Sequence, residues 1–305
     1  MPRPKRSIRS AAVLLAIVPG FFGLVLAACG STDDPVADVV ATTVQIGALT
    51  REVAGDSITV RTLVAPGADP HDYEATADDI RRVGDAKVVL RHGIGLDAFL
   101  DQAIESSGAG NVVTVTEGIP LRYGAEGSRD PDAHVWHNPM YAKVMVDNIV
   151  KALTAAFPDG AATFRANGEA YKATLDETDA AVRRLIDTVP PANRKLVTNH
   201  DAFGYFIDRY GLEFVGAVIP SVSTQGEASP KQLAELEDTI RREGVKAIFA
   251  ESSVDPKVAT EIAKDTGVKI VDDLYGDSLG EPGSEAATVH GMLLANAAKI
   301  ADALK

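Results

Sequence analysis

Short runs of β-branched and apolar residues alternate with helical patterns along residues 42–305, and this alternation restricts the fold more than any other feature of the chain. Each run is followed by a polar loop and then by a helical pattern, an order typical of parallel sheets covered by helices on both faces. The predicted strands form two sets of four: 43–48, 58–63, 87–90 and 111–115, then 195–198, 213–218, 247–250 and 269–271. We therefore predict an α/β protein with two similar lobes, each built on a mostly parallel β-sheet.

The segment between the two sets of strands has helical spacing of its apolar residues. Residues 137–157 show this spacing, and residues 164–189 continue it until Pro190-Pro191 ends the pattern. A helix of about 25 residues is about 38 Å long, enough to run along both lobes as a rigid spine. We expect an N-terminal lobe at 42–163, a linking helix at 164–190 and a C-terminal lobe at 191–305.

The first residues are typical of an export signal rather than of a folded domain. Residues 1–10 carry four basic side chains and no acid, and an apolar run follows at 11–28. The sequence Leu26-Ala27-Ala28-Cys29 resembles the lipobox of bacterial lipoproteins. That resemblance implies cleavage after residue 28 and lipidation of Cys29, and two or more acyl chains give a stable membrane anchor. We expect a signal peptide at 1–28 and a flexible tether at 29–41.

An uncleaved membrane helix is the alternative interpretation of this segment. The apolar run is short for the roughly 20 residues that a membrane span requires. Pro19-Gly20 also interrupts it, and its end coincides with the single cysteine of the chain. We therefore favour the lipoprotein interpretation.

Charge and cysteine content exclude several classes of function. The formal charge of −13 argues against a nucleic-acid partner, because phosphate binding requires clustered Lys and Arg. A single cysteine excludes an internal disulfide and a multi-cysteine metal site. The acidic balance is compatible with cation binding but does not identify a ligand.

Three of the six histidines and one aspartate lie where a ligand site is expected. His71 and His200 follow predicted strands, His134 precedes a predicted helix, and Asp277 follows the last predicted strand. Ligands of open α/β sheets bind beyond the carboxyl ends of the strands. Three imidazoles and a carboxylate suit Zn²⁺, and the carboxylate oxygen also suits Mn²⁺. Taken singly, each residue has an ordinary interpretation as a solvated histidine or a helix cap.

Four motifs taken together are more specific. They are PGADPHDYE at 66–74, DAHVW at 132–136, NHDAFGYF at 199–206 and GDSL at 276–279. Their order and spacing resemble those of the zinc/manganese solute-binding lipoproteins of bacterial ABC importers. The resemblance implies two lobes joined by a long helix and one Zn(II) or Mn(II) ion in the cleft. The ligands that it implies are His71, His134, His200 and Asp277.

The same resemblance implies the partners and the location. The protein would be lipid-anchored to the extracytoplasmic face of the bacterial cell membrane, and it would deliver its ion to an ABC permease driven by an ATPase. We expect a monomer.

The sequence departs from the family pattern at several positions, and some of these departures bear on whether zinc or manganese is bound. Ala133 stands where proline is common, and His137 stands where an apolar residue is common. His137 is three residues from His134, within reach of the same ion, and we expect it beside the ligands or exposed rather than as a ligand. Segment 118–132 is short and lacks histidine, which removes one indication of zinc. His200 favours zinc, because manganese-binding members often have Glu there.

Residues around the motifs have less specific patterns. Glu251 ends a predicted strand and is either an acceptor that orients a ligand imidazole or a solvated acid. Trp136 is expected to be a packing anchor beneath the site. His92 and His290 lack neighbouring motifs and are expected to be structural or exposed. Segment 223–227 resembles a cleft loop of the family, and no role is assigned to it.

Two other functions remain open at this stage. A secreted zinc hydrolase would need three protein ligands, an open water position and a base such as Glu251. The sequence contains no HExxH motif, and a fourth ligand from Asp277 would close the metal's coordination. We therefore expect no catalytic residues. A surface adhesin with an incidental metal is the other alternative.

Overall fold

A computed structural model describes residues 37–124 and 129–305. The predicted signal peptide, Cys29 and residues 29–36 of the predicted tether lie outside this part of the chain. Within it, no helix is both long and apolar enough to span a bilayer.

The first sheet has four parallel strands in the order β2-β1-β3-β4. These strands are β1 (Val39–Ala41), β2 (Val60–Thr62), β3 (Val88–Arg91) and β4 (Val112–Thr114). The helices between them are α1 (Val44–Ala54), α2 (Ala77–Asp85) and α3 (Asp101–Ser107). Strand β1 is buried along its whole length because β2 and β3 flank it and helices cover its faces.

The second sheet repeats this arrangement. Its parallel strands, in the order β6-β5-β7-β8, are β5 (Lys195–His200), β6 (Glu213–Ile219), β7 (Ala247–Glu251) and β8 (Lys269–Leu274). The helices are α6 (Gly204–Tyr210), α7 (Pro230–Glu243), α8 (Lys257–Thr266) and α9 (Val289–Leu304). In both sheets the first strand along the chain lies between the second and the third. The predicted α/β fold with two similar lobes is therefore confirmed.

Two helices connect the sheets. Helix α4 (Pro139–Ala156) leads into α5 (Ala161–Asp187), whose 27 residues extend about 40 Å. Helix α5 packs against α1 and α4 on one side of the molecule and against α6 and α9 on the other. A single hydrophobic core consequently includes residues from both sheets, with Trp136 among its largest fully buried side chains. The long linking helix is confirmed, whereas the lobe boundaries at 163 and 190 stay predictions.

The strand prediction for residues 43–48 is wrong, because Val44–Ala54 forms helix α1. Every residue from Val44 to Thr50 is buried, so the segment lacks the polar face that marks an amphipathic helix. The true first strand is Val39–Ala41, within the segment that we expected to be a tether. Three residues are too few to show a strand pattern. Strand β1 therefore overlaps the end of the predicted tether.

Helices α4 and α5 approach each other closely at Gly168, and this position supplies a test of their packing. A Cβ atom at position 168 would lie 2.6 Å from Val150 Cγ2. We predict that Gly168→Leu lowers the free energy of unfolding of the metal-free protein by about 1–3 kcal/mol through overpacking, although leucine is the better helix former. Urea unfolding followed by circular dichroism measures the change.

The matched control is Ala166→Leu, which introduces the same side chain at an exposed position of α5. It should change the free energy of unfolding by less than about 0.5 kcal/mol. Equal urea midpoints for the two variants would contradict the packing described here.

Candidate metal centre

The four residues implied as ligands come from four separate segments. His71 lies in a 3-10 turn (Pro70–Asp72) after β2, and His134 lies just before the turn Val135–His137 that leads into α4. His200 is the last residue of β5, and Asp277 follows β8. One ligand atom from each of the four lies within 4.8 Å of all the others. The structure thus brings together all four of these side chains.

The turn that presents His71 is fixed by its own sequence. The Asp69 side chain accepts a hydrogen bond from the backbone N–H of His71 at 2.8 Å, and Pro70 occupies the first position of the turn. An aspartate cap followed by proline is a strong start signal for a helical turn. Local sequence therefore sets the direction in which the His71 ring leaves the backbone.

The distances within the cluster are those expected around one ion. Asp277 Oδ1 lies 3.0 Å from His134 Nε2, and Asp277 Oδ2 lies 3.2 Å from His200 Nε2 and 3.6 Å from His71 Nε2. The Nε2 atoms of His134 and His200 are 3.2 Å apart. Bonds of about 2.0–2.1 Å in a tetrahedron place neighbouring donor atoms about 3.3 Å apart. The cluster has the size of a coordination shell for a divalent cation such as Zn²⁺.

Burial is unequal among the four residues. His134, His200 and Asp277 are buried, whereas the His71 side chain is 10% exposed. A cavity of about 500 Å³ lies beside His71, lined in part by Phe99, Pro131 and Gln225. His71 is therefore the member of the cluster that reaches solvent.

Neighbouring carboxylates control the protonation of the two buried histidines. Burial alone would lower the pKa of His134, but the charges of Asp277 and Asp132 outweigh it and raise the pKa to about 9. Burial also disfavours the protonated form of His200, but the charges of Glu251 and Asp277 outweigh it and raise the pKa of His200 well above the usual value. Without a metal, both rings therefore hold protons at neutral pH.

The pKa values of Asp277 and His71 are lowered rather than raised. Burial would raise the pKa of Asp277, but the His134 and His200 rings hold it well below the usual range. Burial lowers the pKa of His71 to about 4, despite the charge of Asp277. A neutral His71 and an ionised Asp277 are thus ready to donate electron pairs at neutral pH.

A carboxylate holds the Nδ1 atom of each buried histidine ring. Glu251 Oε1 lies 2.9 Å from His200 Nδ1, which is the contact that the first of the two interpretations of Glu251 requires. Asp132 Oδ1 lies 2.7 Å from His134 Nδ1 and also accepts from the His134 backbone N–H at 2.9 Å. These contacts leave each Nε2 atom directed at the cluster. Asp132 had no predicted role, although an aspartate side chain commonly accepts a hydrogen bond from the backbone N–H two residues further on.

His137 and Trp136 lie directly beneath the cluster. The ring nitrogen Nε2 of His137 and the indole Nε1 of Trp136 each donate to the carbonyl oxygen of Gly276, both at 3.1 Å. His137 is fully buried and is not among the four converging residues. His137 is therefore a buried neighbour of the cluster rather than an exposed side chain. Trp136 is a buried packing anchor, as predicted.

The remaining histidines lie outside the cluster. His92 is fully buried, and its Nε2 donates to the carbonyl oxygen of Ala133 at 2.8 Å. His290 is partly buried against Tyr171. Both therefore have the structural surroundings that their sequence context predicts.

Side chains of the second lobe also hold the turn that carries His71. Gln225 Nε2 donates to the His71 carbonyl oxygen at 2.8 Å, and Ser278 Oγ accepts from the Gly67 backbone N–H at 2.6 Å. Segment 223–227, which had no assigned role, therefore contacts the most exposed member of the cluster.

Known proteins match nearly the whole described chain. Residues 39–303 match the sequence model of the family described as zinc-uptake complex component A, periplasmic. The manganese-binding lipoprotein MntA of Bacillus subtilis is 35% identical over 285 residues, which cover 90% of this chain and 92% of MntA.

Solved structures show the same fold. The periplasmic zinc-binding protein TroA from Treponema pallidum superimposes with a TM-score of 0.82 at 33% identity, covering 88% of this chain and 99% of TroA. The Mn-bound periplasmic metal-binding protein from Candidatus Liberibacter asiaticus gives a TM-score of 0.79 at 28% identity, with the same coverage. Since the family match spans both sheets and the helices between them, this chain belongs to the zinc-uptake complex component A family of metal-binding proteins of ABC importers.

Proposed function

We propose that the protein captures Zn(II), or Mn(II), outside the cytoplasm with His71, His134, His200 and Asp277 and delivers the ion to an ABC importer. The observation that carries this proposal is the approach of four donor atoms, from both lobes, to within 4.8 Å of one another. Three of these residues are buried, and buried polar atoms of this kind are costly unless they bind a partner. A divalent cation satisfies all four at once.

The donor set favours Zn(II) and accommodates Mn(II). Three imidazoles and one carboxylate make a shell typical of zinc, and zinc binds nitrogen and oxygen donors more tightly than manganese does. Both oxygens of Asp277 face the histidines, which permits a larger coordination number. The names of the relatives span the same two metals, with manganese for MntA and zinc for TroA.

The remaining parts of the proposal are the anchor and the partners. Cys29 would carry the lipid that holds the protein at the outer face of the membrane, and MntA is named as a lipoprotein. A permease and its ATPase would receive the ion and move it inward. The protein acts as a monomer in this scheme.

A hydrolytic role has less support from the geometry. Four protein donors around a tetrahedral ion leave no position for a reactive water molecule. Glu251, the candidate base, is buried and engaged with His200 Nδ1 at 2.9 Å. Transport therefore accounts for the arrangement better than catalysis does.

Removing single ligands tests the assignment. We predict that His71→Ala and His200→Ala each weaken Zn(II) binding by more than about 100-fold, because a ligand contributes more than the groups that orient it, which typically contribute 10- to 100-fold. Competition titration against a chelator measures the affinity, and circular dichroism verifies the fold.

His290→Ala is the matched control, since it removes a histidine of the second lobe that lies outside the cluster. It should leave the affinity within about twofold of the wild type. Unchanged affinity in both ligand variants would refute the ligand assignment.

The raised pKa values predict that metal binding releases protons. His134, with a pKa of about 9, and His200, with a pKa well above its usual value, are protonated in the metal-free protein at pH 7. Both must lose their protons to bind the ion, so lowering the pH from 8 to 6 should weaken Zn(II) binding by about 10- to 100-fold per unit. His71, with a pKa of about 4, contributes little in this range.

Isothermal titration calorimetry in buffers of different ionisation enthalpy counts the protons. We expect about two to be released per Zn(II) ion at pH 7. Release of none, with an affinity independent of pH between 6 and 8, would contradict the protonation states given above.

A further inference from the structure

Arg122, in the segment that leads to His134, forms hydrogen bonds with the second lobe. The Arg122 backbone N–H donates to Tyr205 Oη at 2.9 Å, and its Nε donates to Asp208 Oδ2 at 3.1 Å. Both partners belong to α6. Tyr205 Oη in turn donates to the carbonyl oxygen of Asp132 at 3.1 Å. Arg122 and Asp132 therefore both form hydrogen bonds with α6 of the opposite lobe.

A chain of polar contacts continues from Arg122 to the metal cluster. Arg122 Nη1 lies 3.4 Å from Asp132 Oδ2, and the other oxygen of Asp132 accepts from His134 Nδ1 at 2.7 Å. Asp132 is fully buried, whereas the Arg122 side chain is 23% exposed. The contacts Asp208–Arg122–Asp132–His134 thus connect the surface of α6 to the cluster.

The structure leaves space on α6 for the guanidinium group. A Cβ atom at Gly204 would lie 2.1 Å from Arg122 Nη1 and 2.3 Å from its Cζ. A side chain at this position would require the Arg122 guanidinium group to shift from the place that it occupies over the start of α6.

Charge also favours this position for Arg122. Burial disfavours the charged guanidinium, but Asp201, Asp208 and Asp132 outweigh that effect and raise its pKa. Asp201 directly follows His200 in the sequence. Arg122 therefore lies between the segments that carry His134 and His200.

The carboxylate that holds His200 is fixed in a different way. Glu251 Oε2 forms no hydrogen bond with any of the described residues and packs against Gly276, where an added Cβ atom would lie 1.7 Å away. Asp132, in contrast, depends on Arg122 for the position of its second oxygen. His134 is thus the buried histidine whose orientation depends on a cation that is itself bound to the opposite lobe.

We propose that Arg122 is a positioning residue for metal binding, which holds Asp132 between α6 and His134 and so directs His134 Nε2 into the four-ligand cluster. This inference rests on the metal-binding function proposed above. A guanidinium group is suited to the role because its rigid fork can bind two carboxylates at once, and here it bridges Asp132 and Asp208.

A double-mutant cycle tests the proposal. Arg122→Gln should weaken Zn(II) binding about tenfold, the lower end of the range for residues that orient a metal ligand. In the Asp132→Asn background the same change should alter the affinity by less than about twofold, because Arg122 would act through Asp132. Competition titration of the folded, metal-free variants measures all four corners of the cycle.

Further variants separate positioning from general support of the fold. Arg122→Lys should recover part of the affinity, since an ammonium group keeps the charge but cannot form the fork. Arg209→Gln is the matched control: Arg209 is also on α6 and binds Asp179 of α5 at 2.9 and 2.6 Å, away from the cluster. Its loss should leave the affinity within about twofold.

The outcomes are distinguishable. Wild-type affinity in Arg122→Gln, or an equal loss in both backgrounds of the cycle, would overturn the positioning role. Equal losses of Zn(II) affinity in Arg122→Gln and Arg209→Gln would also overturn the positioning role, because they would reflect only the packing of α6 against its neighbours. Failure of the wild-type protein to bind Zn(II) or Mn(II) would instead refute the proposed function.

Discussion

The buried charge of Asp277 is the constraint on which the site depends. An isolated carboxylate in a protein interior costs several kcal/mol, so a positive charge must accompany it. Around Asp277 the structure provides two further buried carboxylates, Asp132 and Glu251, and three positive charges: the protonated rings of His134 and His200, and the guanidinium group of Arg122. Binding one dication with release of the two ring protons leaves this balance unchanged. The outer carboxylates therefore allow the same pocket to exist with protons or with a metal ion.

The fold makes this concentration of charge possible. Both sheets direct the carboxyl ends of their strands toward loops that carry ligands, and α4 and α5 join the lobes through a shared hydrophobic core. The ligands therefore come from segments far apart in the sequence, yet a continuous packed body holds them. His71 is the exception, because its short turn lies at the mouth of the site beside a cavity of about 500 Å³.

Sequence patterns predicted the second sheet more accurately than the start of the chain, whereas the meeting of His71, His134, His200 and Asp277 was implied by the family resemblance. Strands β5 to β8 begin at the predicted residues because each is a distinct apolar run after a loop. Helix α1 was missed because it is buried on nearly every side and so shows no helical period. The roles of Asp132 and Arg122 were missed for a different reason. Arg122 and Asp208 are 86 residues apart, and local periodicity contains no information about such contacts.

Support from the opposite lobe explains how binding and release can be linked without a large hinge. Three of the four proposed ligands have contacts that cross between the lobes: Gln45 donates to the Asp277 carbonyl oxygen, Gln225 donates to that of His71, and His134 is connected to Asp208 through Asp132 and Arg122. A displacement between the lobes would affect these three contacts together, whereas the contact between His200 and Glu251 lies within the second lobe. Because hydrogen bonds weaken steeply with distance and angle, a slight tilt is sufficient to reduce affinity. The core shared by the lobes restricts larger motions, so release by a small tilt fits this fold better than wide opening of the cleft.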